Sequence, residues 1–97
     1  MRSKQLGGYK FFFPTEPVKI VTIKRVAFEN ENVILWLSDN RAIYLPMAHY
    51  PWLKWLQQAT LEQREQWEIM PSGGGVWWEA LDEGIELQPL LDMTPLI

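Results

Sequence analysis

Five consecutive apolar residues, Val33-Ile34-Leu35-Trp36-Leu37, stand between two polar tetrads, Glu29-Asn30-Glu31-Asn32 and Ser38-Asp39-Asn40-Arg41. The run is too short for an ordinary helix, so it reads as a central strand buried on both faces. A strand of this kind needs a neighbour on each side, and the tetrads supply the turns that bring them back. Asp and Asn tolerate the positive φ that tight hairpins demand. The preceding strand is expected over Lys19 to Phe28, with Val21 and Ile23 on one phase and Val26 and Phe28 on the other. That change of phase across Lys24-Arg25 predicts a β-bulge. Ala42-Ile43-Tyr44-Leu45 forms the third strand, and Pro46 ends it by removing a ladder donor. The first half of the chain is therefore a three-strand antiparallel meander.

The middle turns helical. Pro51 suits a first helical turn, and Trp52, Leu53, Leu56 and Ala59 follow at helical spacing, with Trp55 widening the stripe. Thr60-Leu61-Glu62-Gln63 has the capping-box pattern, so a second short helix is expected from Leu61 to near Trp67. Pro71-Ser72-Gly73-Gly74-Gly75 reads as a flexible hairpin turn. No Lys-Ser/Thr follows it, so it fails as a phosphate-binding loop. Val76-Trp77-Trp78 and Ile85-Glu86-Leu87 form a C-terminal hairpin across the turn Leu81-Asp82-Glu83-Gly84, and Pro89-Leu90-Leu91 closes the chain with one helical turn that lays two leucines on the core. The expected class is α+β: a small antiparallel sheet, two short helices and a C-terminal hairpin. Residues 1–17 read as an N-terminal extension carrying the aromatic run Tyr9-Lys10-Phe11-Phe12-Phe13, and 18–97 as a single domain.

Composition narrows the function. A chain of 97 residues with 47% hydrophobic and 22% charged residues is an ordinary globular domain. No apolar run approaches the ~20 residues of a membrane span, and no signal peptide opens the chain. Zero cysteines exclude disulfides and thiolate zinc sites and suit a cytoplasmic address. Net charge is −3, unevenly divided: residues 1–25 carry six cations and one anion, residues 26–97 three cations and eleven anions. The basic front makes Lys4, Lys10, Lys24 and Arg25 candidate nucleic-acid contacts. The acidic body repels phosphate, and neither a basic stripe nor a recognition helix is visible, so nucleic acid is disfavoured as a partner.

Catalytic machinery is hard to find. His49 is the only histidine, which removes a His-based metal cluster and any paired-histidine mechanism. Asp82 and Glu83 adjoin each other, but neighbours in a strand or turn usually point apart, and Asp39 is explained by its turn. Ser38 lacks a Gly-x-Ser-x-Gly setting. The chain reads as non-enzymatic, with no catalytic residue, metal or cofactor assigned.

Six tryptophans are more than so small a domain can fully bury. Trp36 in the central strand and Trp67 at a helix end are expected in the core. Trp52 and Trp55 fall on neighbouring faces of a helix. Alternation places one of Trp77 and Trp78 in the core and the other on the opposite face. Trp is enriched at binding hot spots, so Trp52, Trp55, Trp77 and Trp78 are the candidate protein-binding residues.

Several segments in order resemble one bacterial family, domain of unknown function 2442. They are Ser38-Asp39-Asn40-Arg41, Tyr50-Pro51-Trp52-Leu53, Ala59-Thr60 with Arg64 and Trp67, Gly75-Val76-Trp77-Trp78, and Leu81-Asp82-Glu83-Gly84-Ile85 with Leu90-Leu91. The resemblance covers roughly residues 18–92. Asn40 stands where the family usually has glycine, Trp77 where it has histidine, Glu79 where proline is common, and Gly84 where an acidic residue is usual. The resemblance implies a small α+β domain, in some members joined to a helix-turn-helix domain, in others encoded beside a second small protein as in toxin–antitoxin pairs. No helix-turn-helix extension is expected for this chain. The leading expectation is a protein-interaction module, adaptor or antitoxin-like, whose partner is a basic protein attracted to an acidic body presenting indoles. Homo-oligomerisation is compatible with this, and no membrane role is expected. The alternatives are a DNA-contacting regulator using the basic N-terminus, and a small-ligand or enzymatic domain built around Asp82, Glu83 and the Trp pair.

Overall fold

Two left-handed residues, Asn30 and Glu31 with φ of 50° and 65°, reverse the chain between β1 (Ile23–Glu29) and β2 (Asn32–Leu37). A two-residue loop with positive φ at both positions matches the twist of the strands it joins. β3 (Ala42–Pro46) returns beside β2 through a second turn, in which Asn40 has φ of 71° and the Leu37 N–H donates to the Arg41 carbonyl at 2.8 Å. The meander is an antiparallel sheet of order β1-β2-β3. The structure, a computed structural model, describes residues 20–93. The extension over 1–17 and its aromatic run lie outside the described residues.

The expected bulge is present: the β1–β2 register shifts between Ile23 and Arg25. It brings Ile23, Val26 and Phe28 to one face, so residues of both sequence phases pack on the core. In β2, Val33, Leu35 and Leu37 face that core, and Ile34 is buried on the opposite side. Trp36 departs from expectation. It shares the face of Ile34, is only half-buried, and is covered by the Arg25 guanidinium 5.0 Å from its ring.

After β3 the chain passes through a 3-10 turn (Met47–His49) and a second one (Pro51–Leu53) into α1 (Lys54–Gln57). Leu53 and Leu56 are fully buried, three positions apart on one face. The capping box forms as read: Thr60 Oγ1 accepts from Gln63 N–H, and Gln63 Oε1 accepts from Thr60 N–H, both at 3.0 Å. The helix it opens, α2 (Leu61–Arg64), is a single turn and does not reach Trp67.

The C-terminal hairpin gains a strand. β4 (Glu68–Ile69), β5 (Gly75–Trp78) and β6 (Glu83–Glu86) make a second antiparallel sheet of order β4-β5-β6, and α3 (Leu87–Met93) follows at once. Leu87 begins this helix and does not end the strand. The glycine-rich turn between β4 and β5 is tied down where sequence suggested flexibility. Gly73 (φ 77°) gives its carbonyl to the Ile23 N–H at 2.8 Å, and Gly74 gives its carbonyl to the Leu87 N–H at 2.9 Å. One core lies between the sheets and under the helices, drawing on Leu35, Leu56, Trp78 and Leu87 among others. α3 lays Leu87 and Leu90 in it, with Leu91 packed alongside.

Arg64 is the buried charge among the described residues, at 6% exposure. Its Nε donates to the Leu56 carbonyl at 3.2 Å and its Nη2 to the Gln57 carbonyl at 2.8 Å, so it closes the C-terminus of α1. Its own carbonyl accepts from Trp78 Nε1 at 3.0 Å. Its guanidinium also stands 5.6 Å over the Phe28 ring.

Candidate functional site

Two open grooves adjoin on one side of the molecule. The larger, about 460 Å³, runs along β6 beneath Trp77 and Met70. The smaller, about 270 Å³, runs along β3 beside Tyr50. Trp52, Leu90 and Met93 line both, so the two form one apolar surface with a shared wall. Trp52 is 42% exposed, Tyr44 52% and Met93 60%, which is unusual for large apolar side chains that neighbour one another. The charged residues on the lining are Glu83 and Glu86, both on β6.

Local structure explains how the indoles reach this surface. The turn opened by Pro51 points Leu53 and Leu56 inward, which leaves Trp52, one residue earlier than Leu53, facing out over Tyr50 (ring centroids 5.6 Å apart). In β5 the pleat sends Val76 and Trp78 to the core and Trp77 to the groove. Trp77 pairs with Gly84 across the β5–β6 ladder. A Cβ at Gly84 would stand 2.7 Å from Trp77 Cε3 and 2.6 Å from the Val76 carbonyl, so the glycine makes room for the indole against the β6 backbone.

The four candidate indoles therefore divide. Trp52 and Trp77 share the groove. Trp78 is fully buried and bonded to Arg64, which removes it from any contact surface. Trp55 is half-buried, edge-on to Trp78 (centroids 5.4 Å, 69°), with its Nε1 donating to the Trp52 carbonyl at 2.8 Å. It braces Trp52 from behind and does not line the groove. Sequence reading missed Tyr44 and Met93. For Tyr44 the signal was there, since it alternates with Ile43 and Leu45 in a strand at the end of the meander.

The remaining candidates are dispersed. Lys4 and Lys10 lie outside the described residues. Lys24 and Arg25 are exposed at the β1 bulge, with Arg25 over Trp36. His49 is exposed at the end of a 3-10 turn. Asp82 is exposed in a left-handed turn conformation (φ 54°), and Glu83 borders the groove. Among the described residues no group of three or more His, Asp or Glu side chains is placed to hold a metal ion, and no helix is long and apolar enough to cross a membrane. Asp39 has a displaced pKa. Partial removal from water raises it, but the Arg41 backbone N–H, the Arg41 guanidinium and its charge together outweigh that, so the carboxyl sits below its usual value.

Fold and groove together define a small α+β domain of two three-stranded sheets with an aromatic, acid-rimmed surface. The chain belongs to the family described as protein of unknown function (DUF2442), whose profile matches residues 23–94. It is similar in fold to a protein of unknown function from Rhodospirillum rubrum ATCC 11170, known from a crystal structure: 22% identity, TM-score 0.61, covering 76% of this chain and 88% of that one. It is also similar to an uncharacterized protein from Chromobacterium violaceum, known from solution NMR: 29% identity, TM-score 0.60, covering 73% of this chain and 64% of that one. No curated protein matches it.

Proposed function

We propose that this chain is a non-enzymatic protein-interaction module, the adaptor or antitoxin-like partner of a basic protein in the cytoplasm. The carrying observation is the convergence of Trp52 and Trp77, from separate elements, on one groove whose lining charges are both carboxylates. The exposed Trp52 and half-buried Trp77, beside exposed Tyr44 and Met93, supply apolar contact area, and Glu83 and Glu86 add attraction for cationic partners. Gly84 supports the reading, because its missing side chain shapes the surface. The adaptor or antitoxin-like role follows what the family resemblance implies.

Affinity capture with the full chain and with a W52A/W77A variant tests this. A basic protein retained by the wild type and lost by the variant, with the variant still folded by circular dichroism, is the expected result. Equal capture by both proteins refutes the groove as the site. Retardation of random duplex DNA at low salt, where phosphate contacts are strongest, would favour a DNA-contacting regulator.

A further inference from the structure

The proposed interaction leaves open how a partner is held, and the edges of the first sheet bear on that. Its β1 edge is protected by the devices that block further pairing: a bulge, and the charged residues Lys24, Arg25 and Glu29. Its β3 edge is Ala42-Ile43-Tyr44-Leu45-Pro46, with no charged residue. The ladder bonds show which backbone groups are spare. Leu37 N–H donates to the Arg41 carbonyl at one end and Met47 N–H to the Glu31 carbonyl at the other, on one continuous register. Hydrogen-bonded pairs alternate in an antiparallel ladder, so Ile43 and Leu45 bond to β2. The N–H and C=O groups of Ala42 and Tyr44 therefore point away from β2, and among the described strands none pairs with them. The smaller groove lies against these same residues, floored by Tyr50, Trp52 and Leu90.

Resting on the proposed function, we infer that β3 accepts an extended partner segment as a fourth strand, in which apolar residues alternate and Lys or Arg flanks them. The main chain of the segment pairs with Ala42 and Tyr44, and alternate side chains enter the groove beside Trp52 and Met93. Cationic residues are favoured because Glu83 and Glu86 are the charges lining the joined grooves. That charge argues against a second copy of this chain, which would bring its own carboxylates to the same place. Pro46, which has no N–H, limits the pairing at its end of the strand.

A phage-displayed library of random twelve-residue peptides, selected on the full chain, provides the probe. The selected peptides are expected to alternate apolar residues and to carry Lys or Arg. N-methylation of every second amide in the best peptide, in the phase that faces β3, should weaken its binding at least tenfold. Tyr44→Pro removes an outward donor while sparing the β2 ladder, and should do the same with the fold retained by circular dichroism. If that variant does not fold, the N-methylated peptide decides alone. Peptides that are acidic or spaced as helices, an empty selection, or equal affinity for N-methylated and parent peptides would overturn strand addition. In the last case, loss of binding in W52A/W77A keeps the groove as the interaction site, whereas unchanged binding there removes both readings. A wild-type dimer that Tyr44→Pro dissociates would make a second copy the occupant and overturn the inference. So would peptide affinity that rises tenfold when Phe11, Phe12 and Phe13 are replaced by Ser, because the chain's own N-terminal segment would then be the competitor.

Discussion

Replacing Arg64 by Met is expected to remove about 3 kcal/mol of folding stability, because two helix-terminal carbonyls lose a charged donor, the Leu56 carbonyl keeping only the Ala59 N–H at 3.2 Å among its longer-range backbone bonds. The Met side chain preserves much of the apolar stem of the arginine, so the loss falls on the guanidinium. That group is 6% exposed and donates to the Leu56 and Gln57 carbonyls at 3.2 and 2.8 Å. A hydrogen bond involving a charged group is worth ~1.5–3 kcal/mol. Taking the low end for each bond, since one is long, gives ~3 kcal/mol in total. The Glu31 carboxylate, 3.5 Å from Arg64 Nη2 and 65% exposed, adds little beside this, under ~0.5 kcal/mol. Urea unfolding followed by tryptophan fluorescence measures the difference. With an m-value near 1 kcal/mol/M for a domain of this size, the midpoint should fall by ~2–3 M. Arg64→Lys, which keeps the charge but reaches one carbonyl at best, should lose roughly half as much. Glu31→Gln, which keeps the backbone conformation at its positive φ, should be nearly silent. A loss below ~1 kcal/mol in Arg64→Met would refute the carbonyl-closing role. A Glu31→Gln loss equal to that of Arg64→Met would place the stabilisation in the ion pair instead.

Trp78→Ala should cost ~3–5 kcal/mol as a core cavity with a lost hydrogen bond, whereas Trp77→Ala should cost about 1 kcal/mol or less and act on partner binding; paired denaturation curves separate them. Gly84→Ala should destabilise by ~1–3 kcal/mol and displace the Trp77 indole, visible as a change in near-UV circular dichroism, since its Cβ meets both Trp77 and the Val76 carbonyl. Asp39 binds its proton more weakly folded than unfolded, so its contribution is present at neutral pH and fades as pH falls through the carboxylate range. Asp39→Asn should therefore flatten the acid limb of a stability–pH profile, and an unchanged limb would count against the Arg41 contacts.

How much of this was legible beforehand depended on the range of the interaction. Asn40 in its turn, the Thr60–Gln63 capping box and the phase change across Lys24-Arg25 were each readable, because each is settled by atoms a few residues apart. Trp36 was misread as core for the opposite reason. Its run is apolar, but its face is decided by the sheet register, which put Arg25 rather than the core over its ring. β4 is legible only as the lead from Trp67 to Met70 into the hairpin turn, because a two-residue strand has no periodicity of its own and its extent is set through β5.

The sequence by itself determined the α+β class, the meander with its turns, the family, and the fact that one indole of the Trp77-Trp78 pair must face out. Only the tertiary structure decided which tryptophans meet. Trp52 and Trp77 are twenty-five residues apart and share a groove because β3, α3 and β6 pack around one core, while Trp55, three residues from Trp52, is turned toward Trp78. Arg64 tells the same story in reverse: its type predicts a solvated cation, and its burial goes with the Leu56 and Gln57 carbonyls that it reaches at the end of α1. Turns, caps and pleat alternation are fixed by the chain's nearest neighbours, and convergence is fixed by long-range packing, which no local pattern encodes.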